Sequence, residues 1–158
     1  MSSARTSFGR SHRAERRLWL PGVVQEGGRR GWWAALGLGA VLGGALLVLP
    51  ALLSDADAFS FFAVFMGVVA GVYLGFALTD GRMSVFQVEN VGILIFGALG
   101  VLALATGNAW FLVAGYLGHG AWDALHPHAV DTRMPWWYVP ACIGFDFAFG
   151  IYVVIRLA

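Results

Sequence analysis

The sequence contains no lysine, a single cysteine and few charged side chains for its length. Charged residues make up 12% of 158 residues, whereas a typical soluble domain has about 25%. Such a composition excludes a disordered or nucleic-acid-binding chain, and the lone Cys142 excludes an intramolecular disulfide. Because Cys142 lies in an apolar stretch, we interpret it as a buried, inert thiol.

Apolar residues and glycine make up most of the sequence. The chain is 59% hydrophobic and has 22 glycines, and its mean hydropathy is +0.73. A water-soluble protein of this size has too small a core to bury so much apolar surface. The composition therefore predicts a multi-pass membrane protein.

Five apolar segments predict an all-α, polytopic membrane helix bundle. Each is close to the ~20 residues that cross about 30 Å of hydrocarbon, and they cover residues 31–53, 58–78, 84–105, 109–125 and 135–157. The links between them are short, so neighbouring helices are expected to run antiparallel. We expect residues 31–158 to form this transmembrane domain and residues 1–30 to be a flexible basic tail.

The arginines predict the orientation of the bundle. Of ten arginines, seven precede residue 31: Arg5, Arg10, Arg13, Arg16, Arg17, Arg29 and Arg30. The positive-inside rule then places the N-terminus in the cytoplasm of a bacterial cell and the C-terminus outside. Arg82 and Arg133 fall in cytoplasmic links in this scheme, whereas Arg156 at the outer end disagrees. We expect the basic tail to contact anionic lipid and not nucleic acid.

Glycines recur at four-residue spacing in two of the predicted helices. Gly67, Gly71 and Gly75 share one face of the second helix, and Gly39 and Gly43 share a face of the first. Faces of small residues drive helix packing in membranes. We expect each face to pack against one of three partners: a neighbouring helix, a second subunit (another copy or part of a larger membrane complex), or a flat apolar ligand.

Ionisable residues in the last three predicted helices mark the candidate functional site. His119, Asp123 and His126 are spaced i, i+4 and i+7, which places them on one helix face. Glu89 and Asp146 lie within the third and fifth helices. With a rise of about 1.5 Å per residue, all of them fall in the cytoplasmic half of the bundle.

Imidazole and carboxylate groups meeting in a low-dielectric pocket are typical of a zinc or iron site. We expect His119, Asp123 and His126 to be ligands, together with Glu89 or Asp146 and with His128 in the following link. Glu89 and Asp146 are also the candidate acid/base residues. The alternative is structural, because an aspartate four residues from a histidine can simply hydrogen-bond to it.

The stretch from His119 to His126, followed by a proline-containing link, Cys142 and Asp146, resembles a family of small bacterial membrane proteins. Members of this DUF6010-like family carry a His-x-x-Trp-Asp-x-x-His-His signature near the C-terminus. Pro127 stands where the family has its last histidine, and His128 follows one place later. The resemblance covers about the last 45 residues and implies a multi-pass helical fold without implying an activity.

Three functions fit these observations. One is a membrane-embedded metalloenzyme that acts on a lipid-like substrate from the cytoplasmic face. Another is an oligomeric protein that moves protons or ions along the same residues. A third is a non-catalytic subunit or assembly factor of a larger membrane complex.

Overall fold

The computed structural model describes residues 22–129 and 133–158, without the side chains of residues 22–27 and 126–129. Its helices are α1 (Gly22–Leu46), the short α2 (Val48–Ala51), α3 (Asp55–Asp80), α4 (Met83–Thr106), α5 (Trp110–Ala129) and α6 (Tyr138–Arg156). Most of the basic tail and the side chains of His126 and His128 therefore lie outside the described residues. The predicted all-helical class is confirmed for the described part of the chain.

Local capping explains where the long helices begin and end. The Ser54 hydroxyl accepts a hydrogen bond from the Asp57 backbone N–H and so caps the start of α3. Helices α3 and α4 end at Gly81 and Gly107, whose φ angles are 76° and 66°. Only glycine adopts this left-handed conformation without strain, so each glycine allows the chain to reverse within a few residues.

The long helices alternate in direction, as the short links predict. At one end of the bundle, Arg156 at the end of α6 reaches Asp55 at the start of α3. At the other end, the Arg133 backbone N–H donates to Asp80 at the end of α3. Gly31 of α1 lies beside Trp136 at this second end, which places Arg29 and Arg30 there as well. The second end therefore carries four arginines: Arg29, Arg30, Arg82 and Arg133. We call it the arginine end.

Helix α5 lies at the centre of the bundle and α1 lies at its edge. Helix α5 contacts α3, α4 and α6, whereas α1 packs along α6. Phenylalanine side chains fill the space between α3 and α6, where Phe62 and Phe65 meet Phe149. The polar residues of α5 are therefore surrounded by the other helices.

Glycine permits the close packing of α1 on α6. A Cβ atom at Gly39 would overlap the Ala141 backbone, and one at Gly144 would overlap the Leu36 carbonyl. Gly43 lies against Phe145 in the same interface. The close backbone approach predicted for the face of Gly39 and Gly43 is present, and the neighbour is a helix of the same chain.

The glycines of α3 behave differently. A Cβ atom at Gly67, Gly71 or Gly75 would meet no other atom of the described residues within 4 Å. Contacts within the described part of the chain therefore do not occupy this face. Packing against a second copy or another subunit stays a prediction.

Four helices of the described residues are long and apolar enough to cross a membrane: Gly28–Ala51, Asp55–Asp80, Met83–Thr106 and Tyr138–Arg156. These agree with the predicted first, second, third and fifth segments. Helix α5, the expected fourth crossing, is not among them because histidine, aspartate and glycine lower its hydropathy. Its position inside the bundle explains how a helix of this polarity fits.

Arg156, which disagrees with the charge-based orientation, joins two elements at the far end. Its guanidinium donates to the carbonyls of Pro50 and Leu53 and lies 3.1 Å from Asp55. The Pro50 carbonyl also accepts a hydrogen bond from the Leu53 backbone N–H, so Arg156 adds a second donor there and ties the link between α2 and α3 to α6. This structural role accounts for a positive charge at that end.

Candidate metal centre

His119 lies near the middle of α5 with its ring enclosed by two other helices. The side chain is 2% exposed. The ring of Phe96 on α4 stands edge-on with its centroid 4.9 Å from that of His119, and Tyr73 on α3 does so at 5.7 Å. The imidazole is thereby held among apolar and aromatic groups away from both ends of the bundle.

Asp146 on α6 is the nearest polar partner of His119. Its Oδ2 atom lies 2.7 Å from Nδ1 of the imidazole, and the carboxylate is fully buried. Gly120, next to His119, lies against Asp146, because a Cβ atom there would be in ordinary contact with the Asp146 Cβ at 3.4 Å. The short contact between His119 and Asp146 fixes the orientation of the imidazole ring.

Asp123 lies one helical turn beyond His119 on α5. Its Oδ1 atom accepts a hydrogen bond of 2.6 Å from the Tyr73 hydroxyl and lies 3.9 Å from His119 Nδ1. The carboxylate is fully buried. The i, i+4 spacing read from the sequence therefore places both side chains in one pocket, while Tyr73 fixes Asp123 from α3.

His119, Asp123 and Asp146 form what we call the His–Asp–Asp cluster. One ligand atom from each residue lies within 4.8 Å of the other two. Asp123 Oδ2 and Asp146 Oδ1 are buried and have no hydrogen-bond partner among the described residues. Because buried polar atoms are nearly always satisfied, these two oxygens point to a bound species.

Glu89 on α4 lies beside the cluster. It is 1% exposed and close enough to His119 and Asp123 to interact with them electrostatically. Within the described residues, it does not belong to the group whose ligand atoms converge. Asp146, expected as a completing ligand or acid/base group, does belong to it.

The other predicted ligands are His126 and His128. The prediction that His128 lies in the link is wrong, because α5 continues to Ala129 and contains both residues. Their side chains are outside the described residues. Ligation by His126, and a contribution from His128, therefore stay predictions.

The charges around the cluster do not balance. It brings three carboxylates, counting Glu89, close to one imidazole. The chain has no lysine, while Arg82 pairs with Asp80 and Arg156 with Asp55 at the two ends of the bundle. Burying unpaired charge is very unfavourable. Among the described side chains, the carboxylates of the site are therefore left to be balanced by bound cations or protons.

A cavity of about 220 Å³ opens between α3 and α6 and reaches the cluster. His119 and Asp146 line its inner end, and Tyr138 and Cys142 of α6 line its side. Val68 and Val72 of α3 form its outer rim. The cluster is thus buried but is adjacent to space between two helices.

Two residues of this site were not predicted to have these roles. Tyr73 is the one tyrosine of α3, and its position among apolar residues is the signal that the sequence offers. Cys142, for which the sequence predicts a buried thiol, is half-buried and lines the cavity. The hydrogen bond from α3 to Asp123 on α5 decides the role of Tyr73, and the cavity between α3 and α6 decides that of Cys142. Spacing along one helix reveals neither.

Comparison with known proteins finds no matching family model, no similar curated protein and no similar solved structure. The resemblance of residues 119–146 to the DUF6010-like family therefore stays a prediction.

Proposed function

We propose that the chain is an integral membrane protein that binds a divalent metal ion, zinc or iron, in its interior and acts on a lipid-like molecule. His119, Asp123 and Asp146 would supply the ligands, and Glu89 would hold or release a proton beside them. When bound, the metal would supply a Lewis acid that polarises the substrate or activates water.

The observation that carries this proposal is the convergence of the His–Asp–Asp cluster. Its three ligand atoms lie within 4.8 Å of one another, and two carboxylate oxygens lack partners among the described residues. Nitrogen from imidazole and oxygen from carboxylate are ligands that zinc and iron share. A divalent cation would also offset the excess of buried negative charge.

The depth of the cluster supports a lipid-like substrate. Asp146 is eight residues beyond the start of α6, which is about 12 Å from the arginine end at 1.5 Å per residue. A water-soluble substrate would have to leave water to reach this depth. A molecule already dissolved in the bilayer would not.

Metal analysis tests the proposal directly. We expect detergent-purified protein, incubated with zinc or ferrous iron and then desalted, to retain about one ion per chain by elemental analysis. Asp146→Asn should lose most of this ion because a ligand is removed. Asp57→Asn removes an exposed carboxylate at the start of α3 and should retain it.

A folded wild-type protein that retains neither metal would refute the proposal. Equal metal content in the wild type, Asp146→Asn and Asp57→Asn would also refute it, because the ion would then be bound elsewhere.

Proton transfer is the second candidate function, and the contacts within the site favour it specifically. Tyr73 meets Asp123 at 2.6 Å, Asp123 lies 3.9 Å from His119, and His119 meets Asp146 at 2.7 Å. Such a series of titratable groups is typical of relays in membranes. Protons, instead of a metal, would then balance the buried charge.

Vesicles that contain the purified protein distinguish the two functions. A relay predicts a proton flux, driven by an imposed pH gradient, that His119→Ala abolishes in protein free of metal. Metal retention without flux supports the metal centre.

The orientation is part of the proposal. The arginine end would face the cytoplasm of a bacterial cell, since Arg29, Arg30, Arg82 and Arg133 gather there. In a Cys142→Ala background, a cysteine introduced at Arg133 should be labelled by a membrane-impermeant reagent only after the cells are opened. Labelling in intact cells would contradict this orientation.

A further inference from the structure

The two arginines at the start of the membrane-spanning part of α1 are exposed. Gly28 interrupts the helix with a φ angle of 62°, and the segment that is apolar enough to span a membrane begins at this residue. Arg29 and Arg30 therefore lie in its first turn, and both residues are exposed. Among the described side chains, neither guanidinium forms an ion pair with a carboxylate.

The two ends of the bundle carry opposite excess charge. The arginine end has its four arginines and, among the described side chains, one carboxylate, Asp80, which pairs with Arg82. The opposite end has Asp55 and Asp57 but a single arginine, Arg156, among the described side chains. The described side chains thus leave the arginine end positive, and a positive surface attracts anions.

Tryptophan side chains lie beside these two arginines. Trp32 and Trp33 pack edge to face with their ring centroids 4.8 Å apart, and Trp33 is 58% exposed. A Cβ atom at Gly31 would lie 3.1 Å from Cη2 of Trp136, so the indole ring from the link before α6 lies against α1. We define the arginine–tryptophan patch by its five side chains: Arg29, Arg30, Trp32, Trp33 and Trp136.

The spacing within the patch matches the headgroup region of a bilayer. The two arginines precede Trp32 and Trp33 by three residues, which is about 4.5 Å along the helix at 1.5 Å per residue. A bilayer about 40–45 Å thick with a hydrocarbon core of about 30 Å leaves about 5–7 Å for the headgroups on each side. Both levels therefore fit within one headgroup region, where indole rings are enriched and guanidinium groups can donate to phosphate oxygens.

We propose that the arginine–tryptophan patch binds the headgroup of an anionic phospholipid from the leaflet at the arginine end. The guanidinium groups of Arg29 and Arg30 donate hydrogen bonds to the phosphate, and the indole rings lie against the glycerol and the upper part of an acyl chain. A zwitterionic phospholipid also carries a phosphate, but its own ammonium group weakens its attraction to a positive surface. This inference goes beyond the proposed function and does not depend on a metal ion or a proton at the His–Asp–Asp cluster.

Quenching of tryptophan fluorescence in vesicles tests the proposal. Phosphatidylcholine vesicles contain a minor fraction of acyl-brominated phosphatidylglycerol, or the same fraction of acyl-brominated phosphatidylcholine, at physiological ionic strength. Four of the seven tryptophans lie at the arginine end: Trp32, Trp33, Trp136 and Trp137. We expect brominated phosphatidylglycerol to quench the wild type more strongly than brominated phosphatidylcholine does, because the anionic lipid collects beside the patch.

Variants at the two arginines provide the contrast. Each basic side chain near a membrane surface strengthens the attraction of anionic lipid about fivefold, so Arg29→Gln/Arg30→Gln should lower the preference for phosphatidylglycerol about 25-fold. Arg29→Lys/Arg30→Lys keeps both charges and should keep most of the preference. Arg82→Gln is the matched control at the same end and should lower the preference far less, because Arg82 is already paired with Asp80.

Equal quenching of the wild type by the two brominated lipids would overturn the inference. An equal loss of preference in Arg82→Gln and in Arg29→Gln/Arg30→Gln would also overturn it, because the net charge of this end, and not the patch, would then attract the lipid. Chemical crosslinking in the same vesicles tests another occupant. A dimer that is lost in Arg29→Gln/Arg30→Gln, without any lipid preference in the wild type, would assign the patch to a second copy of the chain and overturn the inference.

Discussion

Replacing Asp146 by asparagine separates a metal centre from a structural hydrogen bond, because the two interpretations predict different responses to metal. Asparagine has nearly the same shape and can still accept the 2.7 Å hydrogen bond from His119 Nδ1. It removes one negative charge from a buried group that contains three carboxylates and one imidazole. Without metal the variant therefore loses little contact and relieves charge repulsion.

The magnitude follows from linkage between binding and folding. A ligand present at 100 times its dissociation constant stabilises the folded state by about 2.7 kcal/mol. For a chain of this length, about 1 kcal/mol shifts the unfolding midpoint by about 2–4 °C. Metal should therefore raise the midpoint of the wild type by about 5–11 °C and that of Asp146→Asn by far less. With chelator, the variant should be as stable as the wild type or more stable.

The assay is thermal unfolding in detergent, followed by intrinsic tryptophan fluorescence from the seven tryptophans. Each protein is measured with chelator and with added zinc or ferrous iron, and Asp57→Asn is the control. If the hydrogen bond is only structural, asparagine preserves it, and added metal should change the midpoints of the wild type and of Asp146→Asn by the same amount. Such an equal response to metal would refute the reasoning.

Three further changes test the fold and the site. Tyr73→Phe removes the hydroxyl that donates to Asp123 and should cost about 1–3 kcal/mol and weaken metal retention. Tyr116→Phe removes a buried hydrogen bond to the Phe62 carbonyl, which is not part of the cluster, so chemical denaturation should show a similar loss while elemental analysis shows none. If Tyr116→Phe lowered metal content equally, Tyr73 would have no specific role. Gly39→Ala adds a Cβ atom that overlaps the Ala141 backbone, and it should separate α1 from α6 and lower the thermal midpoint. Gly37→Ala, whose added Cβ atom would have nothing within 4 Å, should be neutral or stabilising by up to about 1 kcal/mol. A lower thermal midpoint for Gly37→Ala than for Gly39→Ala would contradict the packing of α1 on α6. Arg156→Met removes the contacts with Asp55 and with the carbonyls of Pro50 and Leu53. It should increase proteolysis of the link between α2 and α3 without changing metal content, and unchanged proteolysis would show that this contact is dispensable.

Parts of the site followed from spacing within one helix. His119 and Asp123 are four residues apart in a helix, and that spacing alone places them on one face. Their burial also followed, since flanking apolar residues put both in the membrane interior. Asp146 was expected nearby only from its depth, because the rotation of α6 about its axis is not encoded in hydropathy.

Other parts depended on contacts between helices. Tyr73 is 50 residues from Asp123 in sequence, and no periodicity connects them. The two glycine faces also look alike in sequence, yet Gly39 lies against α6 whereas Gly67 faces open space. Which small-residue face is used inside the chain depends on how the helices are arranged.

The sequence by itself determined the helical membrane class, the approximate bounds of the helices and their alternating direction, because hydrophobic length and short links leave few other solutions. It also showed that ionisable residues within the apolar segments are few, and that they include Glu89, His119, Asp123 and Asp146. Only the tertiary structure decided that α5 lies at the centre, that Asp146 and Tyr73 complete the surroundings of His119 and Asp123, and that a cavity between α3 and α6 reaches them. The physical reason is that hydropathy fixes depth along the membrane normal, whereas close packing between helices fixes rotation and neighbours.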